Sequence, residues 1–163
     1  MAWQTHVLVL ASRTADSDEF VRALRARAQR GGCAFTLLSP RETNEAGPRL
    51  ERALARLREA GLPVEGRLVD PDPMLALTEA WDPREYDEIV VCTLPTHTSK
   101  WLQVDLPHRI ERHTGVPVTH VVAEEPRPAP AVVHVEPAEK RGVLNPLGPL
   151  AWGGAASRAR RSA

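Results

Sequence analysis

Val7-Leu8-Val9-Leu10 runs four apolar residues without a polar interruption, directly after His6. A β-branched and leucine run with no polar alternation marks a strand buried on both faces, the kind found inside a parallel sheet. Four further strand-length runs follow: Cys33–Leu38, Val64–Val69, Glu88–Cys92 and Val116–Val122. Between them lie segments with helical spacing. Phe20, Leu24 and Ala28 share one face of the first, behind an Asp16 or Ser17 cap and with Asp18 and Glu19 in its first turn. Leu50, Leu54 and Leu57 share a face over Arg49–Ala60, and Pro73–Trp81 opens on a proline behind Asp72. Leu102, Leu106 and Ile110 carry the last helical pattern. Five short strands alternating with four helices predict an α/β fold, a doubly wound five-stranded parallel sheet with helices on both faces. Right-handed crossovers at this length favour strand order 3-2-1-4-5. In such a sheet ligands bind beyond the carboxyl ends of the strands where the winding reverses, here between strands one and four. The expected walls are Ala11–Asp16, Val69–Asp72 and Cys92–Lys100.

The composition narrows the class without naming an activity. The chain has 163 residues, 42% hydrophobic and 26% charged, about one domain with a real core. Lys+Arg 21 against Asp+Glu 21 leaves no net charge to attract nucleic acid, anionic membrane or acidic substrate. Cys33 and Cys92 lie far apart and make no metal-ligand pattern, which suits thiols in a reducing cytosol. The start lacks the basic n-region of a secretory signal, and no apolar run approaches the roughly 20 residues of a membrane span. A cytoplasmic protein is expected. From Glu124 onward proline and glycine accumulate, so the chain divides into an α/β domain, 1–123, and a C-terminal extension, 124–163, that is extended, docked or disordered. In the extension Val132–Val135 is a short extra strand candidate, and Leu144, Leu147, Leu150 and Trp152 form an apolar segment fit for docking on self or on a protein partner. Three closing arginines, Arg158, Arg160 and Arg161, are weak grounds for RNA or membrane contact.

Several constellations invite chemistry and have plainer readings. Asp70 and Asp72, flanked by Pro71 and Pro73, suit a turn and a cap better than a Mg²⁺ site or an acid–base pair. His108 and His113 are five apart, so one helix face does not present both to a metal. Ser12 lacks the glycine context of a nucleophile elbow, and no P-loop is visible. Cys92, at a buried strand end, reads as an inert apolar residue, and His120 as a core-edge or interface residue. Arg52, Arg56 and Arg58 lie among Glu51 and Glu59 and read as a solvated helix face. Trp101 is a core anchor or cleft wall. The loop Thr96-His97-Thr98-Ser99-Lys100 is either a polar solvent loop whose Ser99 caps a helical turn, or a small-molecule site with imidazole, hydroxyls and ammonium. No catalytic set and no metal site emerges.

The order and spacing of Val7-Leu8-Val9-Leu10, Val69-Asp70-Pro71-Asp72-Pro73, Asp87-Glu88-Ile89-Val90-Val91 and Gly115-Val116-Pro117-Val118-Thr119-His120-Val121-Val122 resemble the universal stress protein family (UspA-like) over about Thr5 to Val122. The resemblance implies the same fold, an adenine-nucleotide cleft in the ATP-binding members, and dimerisation through the last strand, here Val118–Val122. ATP-binding members carry a signature after the fourth strand: Gly, two residues, Gly, nine residues, Gly, then Ser or Thr. In register, those positions are Cys92, Pro95, Asp105 and Leu106, and none matches. Pro95 has no N–H to donate, Leu106 has no hydroxyl, and the Asp105 carboxylate is expected where phosphate would sit, capping the helix after it. The resemblance is therefore to a diverged branch with a degenerate nucleotide site. It implies a non-catalytic, stress-related regulator or adaptor without a cofactor, acting through dimerisation and through partner binding by the tail. The alternative is an ATP-binding protein with a non-standard phosphate loop, and its candidate cleft residues are Ala11, Arg13, Asp16, Val69, His97, Ser99 and Lys100. An enzyme of the wider adenine-nucleotide-binding superfamily is the third reading.

Overall fold

A computed structural model describes residues 3–126. The expectations for Val132–Val135, the Leu144–Trp152 segment and the closing arginines lie outside the described residues. The strands are β1 (Thr5–Ala11), β2 (Cys33–Pro40), β3 (Val64–Val69), β4 (Glu88–Thr93) and β5 (Val118–Val122). The helices are α1 (Asp18–Gln29), α2 (Ala46–Glu59), α3 (Pro73–Ala80), α4 (Lys100–Gln103) and α5 (Leu106–Thr114). All strand pairs are parallel and the sheet order is β3-β2-β1-β4-β5, as the sequence predicts.

The unbroken apolar run explains the layering. β1 lies between β2 and β4, with Val9 opposite both Leu37 and Val90. Successive side chains of a strand point to opposite faces. Val7, Val9 and Ala11 therefore meet Phe20 and Leu24 of α1 and Leu50, Leu54 and Leu57 of α2. Leu8 and Leu10 meet Leu77 of α3 and Leu106 and Ile110 of α5. Both faces are needed for burial, so a polar residue at any of Val7–Ala11 would face a core. Across the open end of this core, Arg27 of α1 donates to both carboxylate oxygens of Glu88 at 2.8 and 2.6 Å. That pair holds the Glu88 carboxyl below its ordinary pKa range.

Element ends differ from the sequence reading where proline and glycine mislead. α2 starts at Ala46 rather than Arg49, because Gly47 and Pro48 fall in its first turn, where proline needs no hydrogen-bonded N–H. β2 continues through Pro40, which lies past the last β1 partner and is matched only with Val69 of β3. β5 starts at Val118, not Val116; Pro117 offers no donor, and Val118 N–H donates to Glu111 Oε1 at 2.9 Å. α1 is capped by Ser17, whose Oγ accepts from Phe20 N–H at 3.1 Å, leaving Asp16 for other partners. Asp72 caps α3 by accepting from Met74 and Leu75 N–H, and Asp70 closes the preceding turn on Asp72 N–H. The turn-and-cap reading of this pair holds.

The third strand is short of apolar residues because it is an edge strand with Glu65 and Arg67 exposed, and on its other face α2 rests directly on Gly66. A Cβ placed on Gly66 would lie 2.7 Å from Leu54 Cδ1 and 2.9 Å from Leu50 Cδ1. Both leucines are buried. Gly66→Val is therefore expected to push α2 off β3 and to lower unfolding free energy by about 1–3 kcal/mol. Urea denaturation followed by circular dichroism measures it; a shift toward higher midpoint would show that the gap tolerates a side chain.

Candidate functional site

The segments that leave all five strands converge beyond the carboxyl end of the sheet and enclose a cleft of about 730 Å³. Ser12–Thr14 follow β1, Glu42, Thr43 and Glu45 follow β2, Pro71 follows β3, Leu94 and Thr98–Trp101 follow β4, and Glu125 follows β5. It sits at the β1–β4 reversal, where a doubly wound sheet opens a crevice between diverging crossovers. The apolar side is Trp101, Leu94 and Pro71, and the charged side carries Arg13, Arg49 and Lys100 against Glu42, Glu45 and Glu125.

Glu42 joins the strand ends. Its Oε2 accepts from Ser12 Oγ at 2.8 Å and its Oε1 from Trp101 Nε1 at 3.2 Å. Trp101 is 6% exposed, so it is at once core anchor and cleft wall. The Ser12 hydroxyl is turned to a carboxylate that already takes an indole N–H, which is an orienting contact rather than nucleophile activation. Thr14 Oγ1 donates to the Cys92 carbonyl at 3.4 Å, fixing the cleft floor. Burial pushes both thiols up, that of Cys92 to about 11, so neither ionises readily. At the β5 side Thr93 Oγ1 and His120 Nε2 lie 2.7 Å apart, and burial lowers the His120 pKa.

The arginines are held by carboxylates. Glu125 Oε2 lies 2.5 Å from Arg13 Nη2, and its Oε1 lies 3.2 Å from Arg49 Nη2. Behind Arg49, the buried Asp16 accepts from Arg52 Nε at 3.0 Å and faces Arg49 Nε at 3.6 Å, too long for a hydrogen bond. Arg56 reaches the Asp16 carbonyl and the Asp18 carboxylate. Arg52 and Arg56 keep the solvated face read from the sequence, with side chains 52% and 39% exposed, and in addition clamp the α1 start onto α2. Arg58 instead donates to the Val64 carbonyl.

Of the residues expected in the cleft, Arg13, Ser99 and Lys100 line it. Ala11 does not, because alternation along β1 turns it into the α1/α2 core. Val69 packs against the opposite core for the same reason. Asp16 is turned away by its arginines into a smaller recess beside the cleft. His97 is exposed and outside the lining, because the Pro95 carbonyl accepts from both Thr98 and Ser99 N–H and folds the loop tip outward. Sequence reasoning missed Glu42, Arg49 and Glu125. The polar turn Arg41-Glu42-Thr43-Asn44-Glu45 was the available signal for the first; nothing local marks the other two.

Asp105 also departs from expectation. It sits at the α5 N-cap position, but its backbone is left-handed (φ 52) and its side chain makes no capping bond. A capping side chain needs the extended conformation that Ser17 and Ser99 adopt. Asp105 is exposed and lies outside the cleft lining, so it does not stand where a phosphate in this cleft would sit.

Models of protein families and curated proteins give no match to the sequence. Solved structures do. A universal stress protein from Archaeoglobus fulgidus superposes with TM-score 0.54 at 18% identity, over 72% of this chain and 93% of that one. A universal stress protein in complex with cAMP gives TM-score 0.54 at 24% identity, over 74% and 98%. The universal stress protein from Archaeoglobus fulgidus in complex with dAMP gives 0.52 at 16%, over 74% and 99%. The chain has the universal stress protein fold. Within that fold, the four positions in register with the glycine signature hold a buried cysteine, a proline, an exposed aspartate and a buried leucine of the α5 core. Ser99 Oγ accepts from Leu102 N–H at 3.3 Å, so the loop's hydroxyl caps α4. Among the described residues, no three metal-ligating side chains cluster, and no helix is long and apolar enough to cross a membrane.

Proposed function

We propose that the protein is a non-catalytic cytoplasmic regulator or adaptor of the universal stress protein type, acting through dimerisation and partner binding rather than bond chemistry. The observation that carries this reading is the state of the loop after β4. Thr98 and Ser99 N–H both close on the Pro95 carbonyl, and the Pro95 nitrogen has no hydrogen, so three backbone positions of this loop offer no free donor to a phosphate. The β5 edge supports a contact role: Thr119, His120 and Val122 are exposed, and an open parallel edge calls for a partner strand or a cover. The tail, 127–163, is the second proposed contact element. Isothermal titration with ATP, with and without Mg²⁺, tests the reading. The expected result is no binding at micromolar ATP; micromolar binding abolished by Lys100→Ala would reverse it.

A second reading, adenine-nucleotide binding in an altered pose, is favoured by the cleft volume, about 730 Å³, within the roughly 300–1,000 Å³ of ligand pockets. Two similar folds were solved with cAMP and with dAMP. In this reading Arg13, Ser99 and Lys100 contact the ligand.

A further inference from the structure

We propose that Arg13 and Arg49 form an oxyanion site that Glu125 occupies in cis, so that a small ligand bearing a carboxylate or phosphoryl group competes with Glu125 and frees the chain that follows Ala123. The internal occupant displays the site's geometry. Each Glu125 oxygen takes a different guanidinium, Oε2 at Arg13 and Oε1 at Arg49, so one planar anion bridges the end of β1 and the start of α2. Two guanidinium groups converging on one oxyanion are the arrangement that recognises carboxylate and phosphate.

The charges around the site favour an anion in place of Glu125. With Glu125 in place, the lining carries three cations and three carboxylates; with Glu125 withdrawn, the cations Arg13, Arg49 and Lys100 outnumber Glu42 and Glu45. Lys100 forms no ion pair with a described residue, and Glu42 is already bound by Ser12 and Trp101. Asp16 shares Arg49 from behind but is itself held by Arg52.

The chain geometry lets Glu125 leave without disturbing the sheet. Ala123 is buried and its N–H donates to the Thr93 carbonyl at 2.9 Å, extending the β4 ladder. Glu124 and Pro126 on either side of Glu125 are exposed. Among the described residues after Ala123 the anchoring ion pairs come from this one side chain, and its release moves the segment 124–126. Occupancy of the cleft and position of that segment are coupled by competition, with the same coupling seen from either side. The inference does not rest on recognition of an adenine ring.

The test uses the full chain, with sodium pyrophosphate and malonate as separate probes in isothermal titration. A short tether presents Glu125 at an effective concentration of roughly millimolar, so Glu125→Gln is expected to bind at least one probe about three- to tenfold tighter than the unaltered protein. The probe that gains identifies the ligand class, phosphoryl or carboxylate. Arg13→Ala, at a half-exposed position, is expected to abolish the gain in the Glu125→Gln background. Saturating probe is also expected to speed cleavage of the Glu124–Glu125 bond by a glutamyl endopeptidase in the unaltered protein. Equal affinities with and without Glu125, or probe binding that leaves cleavage at that bond unchanged, would overturn the proposal.

Discussion

Trp101→Ala is expected to lower unfolding free energy by about 3–5 kcal/mol, the range for emptying a buried aromatic site. The indole is 6% exposed and packs with Leu8, Leu10, Leu106 and Ile110 on the α3/α5 side of the sheet. Its removal leaves a cavity there and also leaves Glu42 Oε1 without its 3.2 Å donor. Trp101→Phe separates the two losses. The ring remains, so most packing is kept, and the missing N–H is expected to cost about 1–1.5 kcal/mol. Urea denaturation of the three proteins, with m-values compared, reads both numbers. If the alanine variant lost less than the phenylalanine variant, the indole would not be the wall between core and cleft.

Arg49→Met is expected to cost about 1–3 kcal/mol, and Arg52→Met less than about 1 kcal/mol, although both arginines face Asp16. The difference lies in burial. The Arg49 side chain is 15% exposed and lies between two carboxylates, whereas that of Arg52 is 52% exposed. Water screens the outer pair and replaces its loss. Without Arg49, the buried Asp16 keeps Arg52 and Glu125 keeps Arg13, so the cost stays below that of stranding a fully buried charge. The same denaturation series measures it, and equal costs for the two substitutions would show that burial does not decide what each arginine contributes.

What the sequence makes legible follows from the range of the forces involved. Strand order and layering were readable because every residue of Val7–Leu10 reports burial on its own face, and such runs recur between helices of matching period. Asp72 was readable as a cap, and Ser17 as one of two candidates beside Asp16, because capping acts within three residues. The same locality misplaced Asp105: its spacing before Leu106-Pro107 resembles a cap, but the left-handed turn that separates α4 from α5 is set by how Trp101 and Leu106 both reach one core. The ion pairs of Arg52 and Arg56 were not readable because their partners, Asp16 and Asp18, lie some 36 to 38 residues away. Arg13 and Glu125 are 112 residues apart and meet only because β1 and β5 end at the same side of the sheet. A cleft assembled from five strand ends is therefore located by topology, while the charges that close it emerge only with the three-dimensional structure.

Two similar folds are solved with cAMP and with dAMP; here Thr98 and Ser99 N–H close on the Pro95 carbonyl, and Arg13 and Arg49 hold the Glu125 side chain of the same molecule.

A crystal structure of the full chain grown with saturating Mg·ATP tests this most directly. Thr98 and Ser99 N–H are expected to remain bonded to the Pro95 carbonyl with no phosphate on the backbone of residues 92–106, any bound anion lying instead on Arg13 and Arg49. A triphosphate hydrogen-bonded to the backbone of that loop, with Glu125 still on its arginines, would contradict it.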